Sequence, residues 1–425
     1  MKKIILSAAV AAMAFSTAAV AEEAKGIDMV VTGQAVVYYE TNDIGTNTDM
    51  FSQAASKANV GLQVNANADL KNGFTFGTQL SYLGTAGLEK NLVSGVKQSA
   101  AMSLATTTTQ QLALSKIFVA KTVGNTTVKL GRQELPKSLS PLAFSEGWNV
   151  FKNTFDAVVA INTDLPDTTL VGAYVSGGTG MDLESTGNLT ASTGAGSATV
   201  AGTAYMLTAA NKSLPMTAIT ASYYKLSKIG ANLVAGSDIG ADAVWLDAQV
   251  ADKSLPMGLS IGLQAGSIMP DEKLGAVTMD DTTAFGVKVA AKPLPALTVA
   301  AMYTSVDGTD DKVNVAIKNT GTGIKTPLYT QMVANQDMIA LDANTFGLSA
   351  AYSLGDMGTI IARGTTTSAG KSNLKGSEVD STDMELIYKL NAGGVSYLAA
   401  LVNVDTDDNT ENDGNIVRVW ARYNF

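Results

Sequence analysis

Apolar and polar residues alternate with a period of two along most of this chain. Val60, Leu62, Val64, Ala66 and Ala68 interleave with Asn59, Gly61, Gln63, Asn65, Asn67 and Asp69. Phe74, Phe76, Thr78, Leu80 and Tyr82 interleave with Thr75, Gly77, Gln79 and Ser81, and Asn72-Gly73 supplies a hairpin turn between the two runs. Successive strand side chains point to opposite faces, so each run predicts a strand with one apolar face and one small or polar face. Residues 414–425 repeat the pattern. Val417, Val419, Ala421, Tyr423 and Phe425 share one parity, and Ile416, Arg418, Trp420, Arg422 and Asn424 the other. Residues 112–121 defeat the rule, because Lys116 shares a parity with Leu114 and Phe118.

The turns decide between a soluble sandwich and a membrane barrel. Leu-Pro pairs at Leu165, Leu214, Leu255 and Leu294 mark four short connections. Pro215, Pro256 and Pro295 sit in near-identical phrases, 41 and 39 residues apart, so each repeat holds two strands and one longer loop. Four more short turns fall near residues 70–73, 123–126, 354–357 and 390–393. Between them run long connections rich in Gly, Thr, Ser, Asn and Asp. Eight short turns join sixteen strands, and one strand at each end makes eighteen, with sixteen as the alternative count. Short turns at one end and long loops at the other are the asymmetry of an antiparallel outer-membrane β-barrel, with lipid outside and water inside. No run of 18 or more apolar residues follows the N-terminal segment, so transmembrane helices are not expected.

The N-terminus reads as a secretory signal, 1–21. Lys2 and Lys3 precede an apolar run, and Ala19-Val20-Ala21 forms the cleavage site. The remaining 22–425 is one barrel domain. Removing two lysines takes the formal charge from -9 to -11. There is no histidine and no cysteine, which removes disulfides, most zinc and haem sites and the usual nucleophile–base pairs. No enzyme activity and no cofactor are expected. The acidic balance of 38 against 29 basic residues argues against a nucleic-acid partner.

Function then lies in what lines and narrows the lumen. Strand parity sends Lys129, Lys288, Arg363, Glu385, Arg418 and Arg422 inward. The connection 132–154 carries Trp148, Phe144, Phe151 and several charges where the other loops are Thr/Gly/Asn-rich. It is expected to fold inward as a constriction, with Arg132, Glu134, Lys137, Glu146 and Lys152 as eyelet charges. Arg132 shares the parity of Val128 and Leu130, which requires that the strand has ended or that Gly131 marks a bulge. Acidic runs at 280–281, 307–311 and 405–413 would make the mouth negative and concentrate cations. The last lacks the full EF-hand spacing, and no metal site is assigned.

Four phrases carry a family resemblance: Lys129 to Gln133 (Lys-Leu-Gly-Arg-Gln), residues 144–165, Lys325 to Tyr329 (Lys-Thr-Pro-Leu-Tyr), and the terminal Arg422-Tyr423-Asn424-Phe425. With them the chain resembles the major outer-membrane porins of the epsilonproteobacteria, related to OprD-type channels. That resemblance implies an eighteen-stranded homotrimer in outer-membrane lipid, passing ions and small hydrophilic solutes with modest cation preference. It also implies an inward third loop and a terminal Phe425 read by the outer-membrane assembly machinery. The leading reading is a general diffusion porin. The other is a substrate-specific channel for small carboxylate-bearing solutes, resting on a basic ladder of Arg363, Arg418 and Arg422.

Overall fold

In a computed structural model of the protein, eighteen antiparallel strands form one sheet. The structure describes residues 27–425 except 46–48, 99–109, 148, 181–182, 184–189, 194–195, 200–201, 230–238, 272, 275–276, 309–311, 370–377 and 408–412. Residues 1–21, expected to be a signal, Trp148 and parts of two acidic runs lie outside the described residues. The first strand, Asp28–Asn42, pairs with Ser56–Lys71 on one side and with the last strand, Gly414–Asn424, on the other. The sheet therefore closes, and no barrel strand is left with an unpaired edge. At the seam the Gly33 and Phe425 backbones exchange N–H···O bonds of 2.7 and 2.9 Å. The eight short turns anticipated from the sequence all join neighbouring strands, and the nine long connections lie at the other end.

Parity sorts the side chains as the alternation demands. Val37, Leu207, Leu348 and Leu401 stand exposed on the outer face. Asn59, Gln63, Gln79 and Ser81 are buried on the inner one. Residues 112–121 owe their ambiguity to a bulge. Gln79 pairs with Lys116 and Leu80 with Leu114, which leaves Ser115 as an extra residue. Leu112 and Leu114 point outward before the bulge, Lys116 points inward after it, and neither half breaks the period.

The polar inner face does not run all the way round. Phe155, Ala157 and Val159 are inward and buried, and so are Val171, Val175, Met206, Tyr224, Leu226, Ala243 and Trp245. They form one apolar cluster with Leu135, Leu142 and Ala143 of the connection after Thr126–Gln133, and with Ile317, Leu328 and Ile339 of the connection after Leu297–Asp307. On this wall the inward side chains meet protein rather than water, so burial of apolar area replaces solvation as the rule for residue choice.

Candidate functional site: a lumen crossed by two loops

The two connections that cover the apolar wall also bind each other. Phe144 N–H donates to Asn319 Oδ1 at 2.9 Å, and Asn319 Nδ2 donates back to Phe144 O at 2.8 Å. Thr320 donates to Leu142 O through both its N–H and its hydroxyl, each at 2.8 Å. Lys137 Nζ donates to Thr326 O at 3.2 Å. The buried Glu146 carboxylate accepts from Asn319 Nδ2 at 2.8 Å, from Lys325 N–H at 3.2 Å and from Thr322 Oγ1. Glu146 thus acts as a clasp between loops, because it is buried and its Oε1 gathers donors from the second loop.

The second loop is organised around Lys325. Its ammonium donates to Met332 O at 3.1 Å, Val333 O at 2.8 Å and Gln336 Oε1 at 3.0 Å. Burial pulls its pKa down to about 8, against the opposing attraction of Glu146. Val333 N–H then reaches across to Glu385 Oε1 on the strand Val379–Ala392. From the first loop, Val150 and Phe151 are buried with Val36, Tyr38, Leu83 and Ala113 of the inner wall, and Trp420 packs against that cluster. An inward Trp is therefore a packing residue under loop side chains.

The charges picked out by parity divide into partnered and lumen-facing groups. Arg363 forms an ion pair with Glu385, directly opposite it on the next strand. Arg418 pairs with Glu40 at 2.7 Å across the seam, and Glu40 also holds Lys97 and accepts from Tyr38 OH at 2.7 Å. Glu134 lies between Lys116 and Lys152, the latter at 3.1 Å, and these cations outweigh burial to hold its carboxyl below the usual range. Lys129 faces inward with its ammonium 3.7 Å from the Phe118 ring centroid. Lys288 shares the inward parity of Gly262 and Met302, its cross-strand neighbours. Arg422 donates to Gln34 Oε1 at 2.8 Å and Val150 O at 3.1 Å, and lies over the Trp420 ring.

Arg132 corrects the sequence reading. Its strand has not ended and carries no bulge at Gly131, since the pairing with Phe155–Asn162 runs in register through Gln133. Arg132 keeps the outward parity of Leu130, donates to Asp156 Oδ1 at 3.0 Å and bonds Leu114 O at 3.0 Å. It belongs to the outer rim, where an acidic neighbour on the adjacent strand balances it.

Sequence reasoning passed over Glu40, Lys97, Asp247, Lys325 and Asp383. Pairing the two terminal strands in register would have found Glu40, because it stands opposite Arg418. Asp383 sits inward, 1% exposed, beside Glu385, and neither of its carboxylate oxygens has a hydrogen-bond partner among the described residues. Asp247 accepts from Gln264 Nε2 at 2.9 Å and Tyr329 OH at 3.2 Å. Between the loops and the strands around Asp247 remains a cavity of about 590 Å³, lined by Lys137, Lys212, Asp247, Gln249 and Tyr329 among others.

Set beside known proteins, residues 1–245 match the model of the Campylobacter major outer membrane protein family. The chain belongs to that family. It is accordingly an outer-membrane protein with a channel fold. No curated protein sequence matches it. Among solved structures it is similar to OccK8 (OprE) of Pseudomonas aeruginosa, at a TM-score of 0.72 and 14% identity over 94% of this chain and 98% of that one. Acinetobacter baumannii OccAB2 gives the same values. At that identity the likeness speaks for the barrel alone.

Proposed function

We propose that this member of the family is a passive diffusion channel for ions and small hydrophilic solutes, mildly cation-preferring and homotrimeric. The observation that carries the reading is the cavity beside the loops. It lies inside the closed sheet and sets the charged side chains of Lys137, Lys212 and Asp247 among apolar ones, with no ion pair between Lys137 and Asp247 among the described residues. A lumen lined by fixed charges of both signs sorts permeants by charge and dipole and needs no cofactor or chemistry. The cation preference rests on the family resemblance and on the acidic runs of the long loops, since the cavity itself sets Lys137 and Lys212 against Asp247. The homotrimer rests on the family resemblance. A carboxylate-selective channel is less favoured, because Glu385 and Glu40 neutralise two of the three arginines of its basic ladder.

Planar-bilayer recording tests this. The expected result is stepwise conductance that grows linearly with salt and a reversal potential of cationic sign in a salt gradient. An absence of conductance from folded protein would overturn the channel reading. Saturation by one small carboxylate, with anionic reversal, would replace it with the selective channel.

A further inference from the structure

Two aromatic side chains of the loop pair end on glycines of the barrel wall. A Cβ at Gly61 would stand 2.7 Å from Phe151 Cζ and 2.9 Å from its Cε2. A Cβ at Gly262 would stand 2.5 Å from the Tyr329 hydroxyl and 2.8 Å from its Cζ. Neither glycine adopts a positive φ, so what each position requires is space, not backbone freedom.

The Phe151 ring is packed in on all sides, and the Tyr329 ring is held at its tip. Phe151 is 1% exposed, and Gln98 holds its N–H at 2.7 Å and its carbonyl at 3.0 Å. Arg422 holds the preceding carbonyl, that of Val150, at 3.1 Å. Tyr329 is tethered by its hydroxyl to Asp247, and the preceding Pro327 carbonyl accepts from Gln264 Nε2 at 3.0 Å. Displacing the Phe151 ring must therefore displace its loop, and displacing the Tyr329 ring breaks its bond to Asp247 and releases the loop from that wall.

The two contacts face each other. Gly61 lies on Ser56–Lys71, the second strand, and Gly262 on Ser260–Pro270, the eleventh. They are nine strand-to-strand steps apart in a ring of eighteen, which is half the circumference. Gly61 lies toward the long-loop end of its strand and Gly262 next to a short turn. Since the loops are bonded to each other through Phe144, Asn319, Thr320 and Glu146, the pair forms a diagonal brace across the lumen.

We propose that Gly61 and Gly262 are sockets, with Phe151 and Tyr329 as their pegs, that fix the loop pair and so set the aperture of the pore. They are positioning residues, and the inference rests on the channel reading above. Filling a socket and removing its peg should free the same loop, so the two kinds of variant should converge.

The test is single-channel recording on the full chain with Gly61→Ala, Gly262→Ala, Phe151→Ala and Tyr329→Ala, each checked for a folded, heat-modifiable barrel. Each variant is expected to raise the mean conductance by up to about twofold and to broaden the open-channel current, since conductance follows the narrowest section. The double variant Gly61→Ala with Phe151→Ala should exceed neither single change, the mark of two residues acting as one unit. If Gly61→Ala does not fold, Phe151→Ala and the double variant decide. Folded variants with wild-type conductance and noise, or additive effects in the double variant, would overturn the sockets. A wild-type chain that never conducts would overturn the channel reading instead.

Discussion

The wall near the seam and the wall opposite it are built from the same alternating strands, yet they use their inner faces differently. Near the seam, Gln34, Glu40, Gln63, Gln79, Arg418 and Arg422 form a hydrogen-bonded polar lattice. Across the barrel, Phe155, Val171, Met206, Tyr224 and Trp245 form an apolar core under the loops. Period two fixes which residues point inward, whereas the neighbour on that side fixes what they are. A barrel interior is a solvent boundary only where no protein covers it.

The largest expected effect probes the covered wall. Phe155→Ala removes a ring that is 0% exposed, and should cost about 3–5 kcal/mol of barrel stability. Leu207→Ala, outward and 63% exposed in the next strands, should cost far less. Denaturant unfolding of the reconstituted protein reads both. An equal cost would mean that the inner wall is no core.

Next comes the seam. Glu40→Ala strands Arg418 and Lys97 in a buried site, and breaking a buried pair costs about 3–5 kcal/mol, with the low end expected here because Lys97 is partly exposed. Adding Arg418→Met should recover part of the loss. If the second change makes matters worse, the pair is not what holds this part of the seam.

How much of this was legible depends on the length over which an interaction acts. The strands, the eight short turns and the eighteen-fold count follow from local alternation and from Leu-Pro repeats, which need no knowledge of distant residues. Ser115 defeated face assignment because one inserted residue inverts parity, and only the partner strand reveals it. The pairing of Arg363 with Glu385 is a cross-strand contact that parity brought into view. The clasp of Glu146 on Asn319, 173 residues away, carries no local signal. Nor does the inward path of the second loop, beyond an unusual share of apolar residues such as Ile317, Leu328, Met332 and Ile339 in a connection otherwise expected to be wet.

A smaller effect separates the loops from both walls. Burial lowers the Lys325 pKa to about 8 from the ordinary 10.5. The unfolded chain therefore holds this proton more tightly, and folding is penalised below pH 8. Stability should rise as pH climbs from about 8 toward 10.5, where the unfolded chain also loses the proton. Lys325→Met should flatten that rise in a thermal-unfolding series. A slope that survives the substitution belongs to other groups.

The smallest change concerns Arg422, whose neighbours on the adjacent strand and on the first loop make it the most informative charge. Arg363 and Arg418 have carboxylate partners, so neutralising either exposes a buried acid and confounds charge with stability. Arg422 bonds only neutral acceptors, Gln34 Oε1 and Val150 O, among its described contacts. Arg422→Gln keeps a donor and removes one positive charge, at a stability cost near the ~1 kcal/mol of one hydrogen bond. If permeant ions pass along the seam wall, the cation-to-anion permeability ratio should increase by less than about twofold, as expected for one wall charge in a screened aqueous pore. The same substitution loosens the Val150 carbonyl and with it Phe151, so a rise in conductance without a change in the ratio would place Arg422 with the loop supports. No change in either quantity would mean that ions do not pass this wall at all, and that the conducting space lies against the strands around Asp247.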